Sequence, residues 1–186
     1  MRWVIGIDEA GRGPLAGPIA VGAVAIPLEQ NRWSFWSGLK DSKQLSEEQR
    51  EAWFARMRDE NMLRAVSLIN SAVIDAIGLT RAATRGCTQV LKQLDIEPVE
   101  GYIMADWGLS IPWTWRQERL VKGDERIPAI ALASIVAKVT RDHHMLKAAK
   151  RFPEYGFAQH KGYGTELHYK ALKKHGPCPI HRQSFL

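Results

Sequence analysis

Apolar residues recur along the chain in two rhythms, and the switch between them outlines the fold. Short runs rich in Val, Ile and Ala predict strands at Trp3 to Asp8, Ile19 to Ile26, Leu63 to Ile69 and Tyr102 to Asp106, with Glu118 to Lys122 as a further candidate. Elsewhere the spacing turns helical. Ser46-Glu47-Glu48-Gln49 has the spacing of a capping box and predicts a helix reaching about Asn61. Helical patterns follow at Ser71 to Ile77 and Leu79 to Leu94. The longest runs from Ile127 to about Arg151, and within it Ala129, Ala133 and Ala137 repeat every four residues. Such a small-residue stripe lets a helix pack close against a sheet. Thr165 caps a last helix, Glu166 to about His175, which Gly176-Pro177 stops. Strands come early and alternate with helices, while helices dominate the end. The expected architecture is α/β, a mixed central β-sheet flanked by helices with a helical C-terminal part.

Length and charge sharpen this outline. A chain of 186 residues fits one domain over 1–186 and can bury a core without disulfide or metal staples. The net charge of +6 is unevenly divided: residues 1–137 are close to neutral, and a basic helical segment from about residue 138 holds the excess together with all six His. A basic tail region behind a balanced body points toward a polyanion such as nucleic acid, although a solvated basic face explains the same composition. Cys87 and Cys178 belong to no Cys/His cluster, which argues against structural zinc. Their scarcity, with no export signal and no apolar run of spanning length, leads to the expectation of a cytoplasmic protein off the membrane.

The chemistry begins at Asp8-Glu9, two carboxylates at the end of an apolar strand. They enter the loop Glu9 to Pro18, whose three Gly and two Pro exclude regular structure. In it, Gly11-Arg12-Gly13 offers backbone N–H groups to a phosphate or hydroxyl and adds the Arg12 charge. The loop matches neither GxxxxGK[ST] nor GxGxxG. Asp106 ends another strand, and Asp124 precedes the long helix. Carboxylates at several strand ends can meet at one edge of a sheet, where mutual repulsion and hard oxygen donors call for Mg²⁺ or Mn²⁺. Spacing alone does not establish that meeting.

These residues together resemble the type 2 ribonuclease H family, bacterial ribonuclease HII in particular. The N-terminal block is Asp8-Glu9-Ala10-Gly11-Arg12-Gly13-Pro14-Leu15-Ala16-Gly17-Pro18. Asp41 to Ser46, Lys122-Gly123-Asp124 with Ala133 to Asp142, and His160-Lys161-Gly162-Tyr163-Gly164-Thr165 with His181 to Phe185 resemble the later blocks. The blocks occur in family order over essentially the whole chain. Two positions depart from the family: Trp107 follows Asp106 where Gly is usual, and Leu132 stands where Ala is common.

The resemblance implies a ribonuclease H-like fold and a metal-dependent endoribonuclease. It would cut the RNA strand of RNA–DNA hybrids and ribonucleotides embedded in duplex DNA, leaving 5′-phosphate and 3′-hydroxyl ends. It assigns two Mg²⁺ or Mn²⁺ ions to Asp8, Glu9, Asp106 and Asp124, and substrate contacts to Gly11, Arg12, Gly13, Lys43 and Tyr163. In the family Tyr163 would bond the 2′-hydroxyl and pack on the next sugar. A monomer is expected. The Asp-Glu pair lies near residue 1 and the chain ends at Leu186. Neither an added substrate-binding domain, a clamp-docking tail nor an obligate protein partner is expected. Lys138, Arg141, Lys161 and Arg182 are read as phosphate contacts or solvated charges, the six His as surface or phosphate-facing groups, and Trp33, Trp36, Trp113 and Trp115 as core or loop packing. Two rival readings stay open: a non-catalytic nucleic-acid-binding module, and a nuclease of the same fold acting on another substrate such as branched DNA.

Overall fold

The computed structural model describes residues 2–29 and 38–186, so Trp33 and Trp36 lie outside the described residues. Over these residues the chain builds a five-stranded sheet from β1 (Trp3–Ala10), β2 (Ile19–Pro27), β3 (Leu63–Ile69), β4 (Gly101–Asp106) and β5 (Arg116–Leu120). The order across it is β3-β2-β1-β4-β5. β1–β2 and β2–β3 pair antiparallel, whereas β1–β4 and β4–β5 pair parallel, so the sheet is mixed as expected.

Two strands, β1 and β5, differ from the sequence expectation by two residues, and β2 and β4 each by one. β1 continues past Asp8 because β2 keeps pairing with it: Asp8 sits opposite Gly22, Glu9 opposite Val21 and Ala10 opposite Ala20. The two carboxylates therefore stand on a hydrogen-bonded strand rather than in the following loop. β5 lies two residues earlier than Glu118 to Lys122. Its register is set by β4, from Tyr102↔Arg116 to Asp106↔Leu120. Its side chains are exposed or half-buried, so no apolar rhythm marks its ends.

Helices α1 (Glu47–Asp59), α2 (Ser71–Ile77), α3 (Leu79–Leu94), α4 (Gly123–Arg126), α5 (Pro128–Arg151), α6 (Phe157–His160) and α7 (Glu166–His175) complete the chain. Ser46 and Gln49 form the full capping box of α1. α4 and α6 span one turn each, too short for a periodic signal. The alternation of β1 sends Ile5 and Ile7 into a core shared with Ile69, Val90, Leu91 and Ile103, on the α3 side. Gly6 and Gly22 lie against α5, where Ala129, Ala133 and Ala137 form the expected buried stripe. A Cβ on Gly6 would stand 2.0 Å from the Ala129 carbonyl carbon, and one on Gly22 2.4 Å from the Ala133 oxygen. Helix and sheet touch backbone to backbone there. A second core joins Val24, Trp53, Met57, Leu132, Ile135 and Val136, and a third gathers Met145, Tyr155, Phe157 and Cys178. Trp115 is buried, but Trp113 is 89% exposed and packs in neither core nor loop. No helix of the described residues is long and apolar enough to cross a membrane.

This topology sets where the chemistry falls. In the parallel β1–β4 ladder Ile7 faces Ala105, so Asp8 and Asp106 come next, side by side at the carboxyl ends of their strands. Asp106 pairs with Leu120 of β5, and the chain then turns through Gly123 to Asp124. Carboxyl ends of parallel strands are the usual place for a ligand in such sheets.

Candidate active site

Asp8, Glu9, Asp106, Gly11, Arg12, Gly13, Lys43 and Tyr163 line one cleft of about 250 Å³ at this edge of the sheet. Asp124 does not line it. Asp124 is buried alongside and is tied to the cleft through Lys43, whose Nζ lies 3.2 Å from its Oδ2. Lys43 stays largely exposed, on a one-turn 3₁₀ helix (Ser42–Gln44) whose Asp41 carboxylate accepts the Lys43 backbone N–H at 3.1 Å. The Gly123 N–H donates to Asp106 Oδ1 at 3.4 Å, which ties the turn before Asp124 to the end of β4.

Asp8 and Glu9 hold their protons more tightly than usual. Burial comes first, then repulsion from Glu9, Asp106 and Asp124, and together they push the Asp8 carboxyl well above its usual range. The Glu9 N–H, donating to Asp8 Oδ1 at 2.8 Å, offsets part of this. Burial and Asp106 also raise Glu9, against the opposing pull of Arg12 and Lys43. Arg12 lies 3.3 Å from Glu9 Oε1 and reaches the Gly108 carbonyl at 3.5 Å. Glu9 Oε2 is buried with no hydrogen-bond partner. Lys43 is raised despite partial burial because Asp124, Asp41 and Asp8 surround it with negative charge. Among the described residues, no three His, Cys, Asp or Glu side chains stand close enough to hold one metal ion as they are arranged.

Two side chains read from sequence as phosphate contacts or solvated charges are in fact the supports of the glycine-rich loop. Arg141 and Arg182 are both fully buried. Arg182 donates to the carbonyls of Gly11 at 2.6 Å, Arg12 at 2.9 Å and Gly17 at 3.0 Å. Arg141 donates to Pro18 at 3.0 Å and Ala16 at 3.2 Å. The loop thus satisfies its inward carbonyls on two guanidiniums, a need that buried backbone must meet. Burial and the neighbouring Arg141 lower Arg182 to about 10, still charged at neutral pH. Arg141 falls at the four-residue step after Ala129, Ala133 and Ala137, so the stripe already marked its inward face. Nothing in the local sequence marks Arg182, whose partners lie far away in the chain. Lys138 also lines the cleft and pairs with Asp142 at 2.9 Å. Lys161 turns its Nζ onto the Ala158 carbonyl of its own turn.

Tyr163 is 43% exposed, and the Arg141 guanidinium lies 5.7 Å from its ring centroid. Its Cε1 is 4.0 Å from where a Cβ on Gly13 would be, so ring and loop flank the same gap. Trp107, next to Asp106, is 65% exposed. His160, His168 and His181 are buried, contrary to the expectation of surface groups, while His143 is exposed on Glu51. They pack ring on ring with Tyr155 and Phe157 because the C-terminal segment folds back over α6 and α7.

A mixed five-stranded sheet with carboxylates at the ends of its parallel strands has the fold of the ribonucleases H. The ribonuclease H2 of Pyrococcus horikoshii OT3 superposes with a TM-score of 0.78 at 29% identity, covering 98% of this chain and 93% of that one. The ribonuclease HII of Archaeoglobus fulgidus, solved in complex with PCNA, superposes with a TM-score of 0.81 at 25% identity, covering 99% and 95%. The chain belongs to the ribonuclease HII family: residues 5–186 match the family described as Ribonuclease HII. The Ribonuclease HII of Ruminiclostridium cellulolyticum is 43% identical over 185 residues, all of this chain and 70% of that protein. Family membership makes the chain a ribonuclease H, an endoribonuclease acting on RNA–DNA hybrids.

Proposed function

We propose that residues 1–186 act as one catalytic unit that cuts at ribonucleotides within duplex DNA as well as in hybrids, with Asp8, Glu9, Asp106 and Asp124 holding divalent cations. The observation that carries this reading is the cleft itself. Buried Asp8 and the half-buried Glu9 and Asp106 meet there with an unpaired Glu9 Oε2, the Gly-Arg-Gly loop and Tyr163, and Asp124 lies alongside. All four donors are hard carboxylate oxygens, and the orphaned Oε2 lacks a cation that Arg12 supplies only to its neighbour. The donor set fits Mg²⁺ or Mn²⁺, which when bound would activate water and offset charge on the departing 3′ oxygen. Lys43 and Arg12 stand in as cations at Asp124 and Glu9, so ion binding requires these carboxylates to exchange partners or share them.

The chain's other residues select and hold the substrate. The Gly11 and Arg12 carbonyls are fixed on Arg182, which leaves the backbone of this loop in one orientation toward the cleft. There its polar groups can read a 2′-hydroxyl, the group that separates RNA from DNA. Tyr163 closes the opposite side of the gap, where a deoxyribose after the ribonucleotide lets the ring sit close. Lys43 and Lys138 face the cleft as phosphate contacts, and the products carry 5′-phosphate and 3′-hydroxyl ends. The reading needs no obligate protein partner and takes the protein as a monomer. The two buried free thiols, Cys87 and Cys178, support a cytoplasmic setting. Tyr163→Ala tests the substrate assignment: the preference for a single embedded ribonucleotide falls, whereas for a nuclease of branched DNA it stays unchanged.

A further inference from the structure

Three buried histidines lie behind Tyr163, and their hydrogen bonds leave only one arrangement of protons. The Tyr163 carbonyl can only accept, so His168 Nδ1, 2.9 Å away, donates to it. A neutral His168 then has a bare Nε2, which lies 2.9 Å from His181 Nε2. His181 must donate there, which leaves its Nδ1 as an acceptor. The Cys178 N–H, which can only donate, lies 2.8 Å from that Nδ1. The Cys178 carbonyl at 3.2 Å is the longer contact and would need the opposite tautomer. Reasoning from either end fixes the same direction. His160 obeys the same logic: it accepts the Gly162 N–H on Nδ1 at 3.2 Å and donates from Nε2 to the Tyr155 carbonyl at 2.7 Å. Its ring stacks on His168 with centroids 4.5 Å apart.

We infer that His168 and His181 are positioning residues for substrate selection, a neutral single-tautomer relay from the Cys178 backbone to the Tyr163 backbone that holds the Tyr163 ring across the cleft from Gly13. The inference rests on the role proposed above for Tyr163. An added proton on His181 would set N–H against the Cys178 N–H, and one on His168 would set N–H against N–H. The titratable groups facing the pair are His160, Tyr155 and Cys178, with Arg141 beside Tyr163 and Arg182 next in the chain. Burial first, then neighbouring histidines, lower both His168 and His181 below the ordinary histidine value. The folded state therefore binds fewer protons than the unfolded one. The relay is intact above the ordinary histidine pKa of about 6.5 and is lost as pH falls through the lower folded values.

Long-range ¹H–¹⁵N spectra of the full chain at pH 7.5 read the tautomers directly. The relay requires His168 protonated on Nδ1 alone and His181 on Nε2 alone; the reverse tautomers, or a charged ring, overturn it. A second arm measures the ratio of kcat/KM for a duplex with one ribonucleotide to that for an all-RNA hybrid strand, in which ionisation of the attacking water cancels. That ratio should fall about 2- to 13-fold as pH drops from 7.5 through the lowered folded values of the pair, the worth of one hydrogen bond. It should fall equally in His168→Ala at pH 7.5 and return in His168→Asn, whose amide N–H reaches the Tyr163 carbonyl and does not titrate. A ratio that Tyr163→Ala lowers and that folded His168→Ala leaves unchanged at pH 7.5 refutes the relay. If Tyr163→Ala leaves the ratio unchanged, the role of Tyr163 is what fails, and the tautomers alone decide the relay. Should His168→Ala not fold, the tautomers in the wild-type spectra still decide.

Discussion

Asp8 is buried at the end of β1 among other carboxylates. Its carboxyl holds its proton more tightly in the folded chain than in the unfolded one, because of burial and the surrounding carboxylates. Ionisation therefore destabilises the metal-free fold. That cost is absent below the ordinary aspartate range and grows as pH rises through the higher folded value. Asp8→Asn removes it. In EDTA at pH 7.5 the variant should melt higher than wild type, by about 2–4 °C for each kcal/mol relieved, as calorimetry would show. The same substitution should lower cleavage by orders of magnitude, since this chemistry depends on fixed charge at the reacting phosphate. At this scale the sequence was informative where the residues are neighbours. Asp8, Glu9 and Gly11 to Gly13 sit within six positions, and their types alone suggest a site. Arg182 was illegible because its partners at Gly11, Arg12 and Gly17 lie at the other end of the chain.

At the scale of elements, the glycine-rich loop and α5 depend on contacts that tolerate no added volume. Gly22→Ala would push a methyl into the Ala133 carbonyl and the Ala137 N–H. Chemical denaturation should show a loss of about 1–3 kcal/mol or more. Arg182→Met should act differently. It leaves three loop carbonyls without their donor, each worth about 1–3 kcal/mol when buried and unpaired. The loop then either shifts or opens to water, and kinetics on a ribonucleotide duplex should show a raised KM together with reduced stability. Apolar rhythm and cap signals located every strand and every long helix, whereas the ends were set by partners. β1 runs on to Ala10 because β2 pairs with it, and β5 took its register from β4. Such long-range pairing has no local signature.

For the whole molecule, the uneven charge needs a more exact description than a basic tail gripping nucleic acid. Of the basic residues beyond residue 138, Arg141 and Arg182 are buried supports and do not face solvent. On the proposed reading, the electrostatic grip falls to exposed groups such as Lys43 near the cleft and to Lys138 on its wall. Binding of Asp8→Asn to a ribonucleotide-containing duplex should weaken linearly in log–log form as salt rises, with a slope of about −0.9 per phosphate neutralised. β1 and β2 pack against the first core on one face and against α5 on the other, so unfolding should be one cooperative transition by circular dichroism and fluorescence alike. The direct test of the central claim is cleavage of a DNA duplex carrying one ribonucleotide, followed with and without divalent cation. The carboxylate cleft predicts cutting at the ribonucleotide in Mg²⁺ or Mn²⁺, none in EDTA, and none by Asp8→Asn in either metal. Undiminished cutting by folded Asp8→Asn, or by wild type in EDTA, would contradict it.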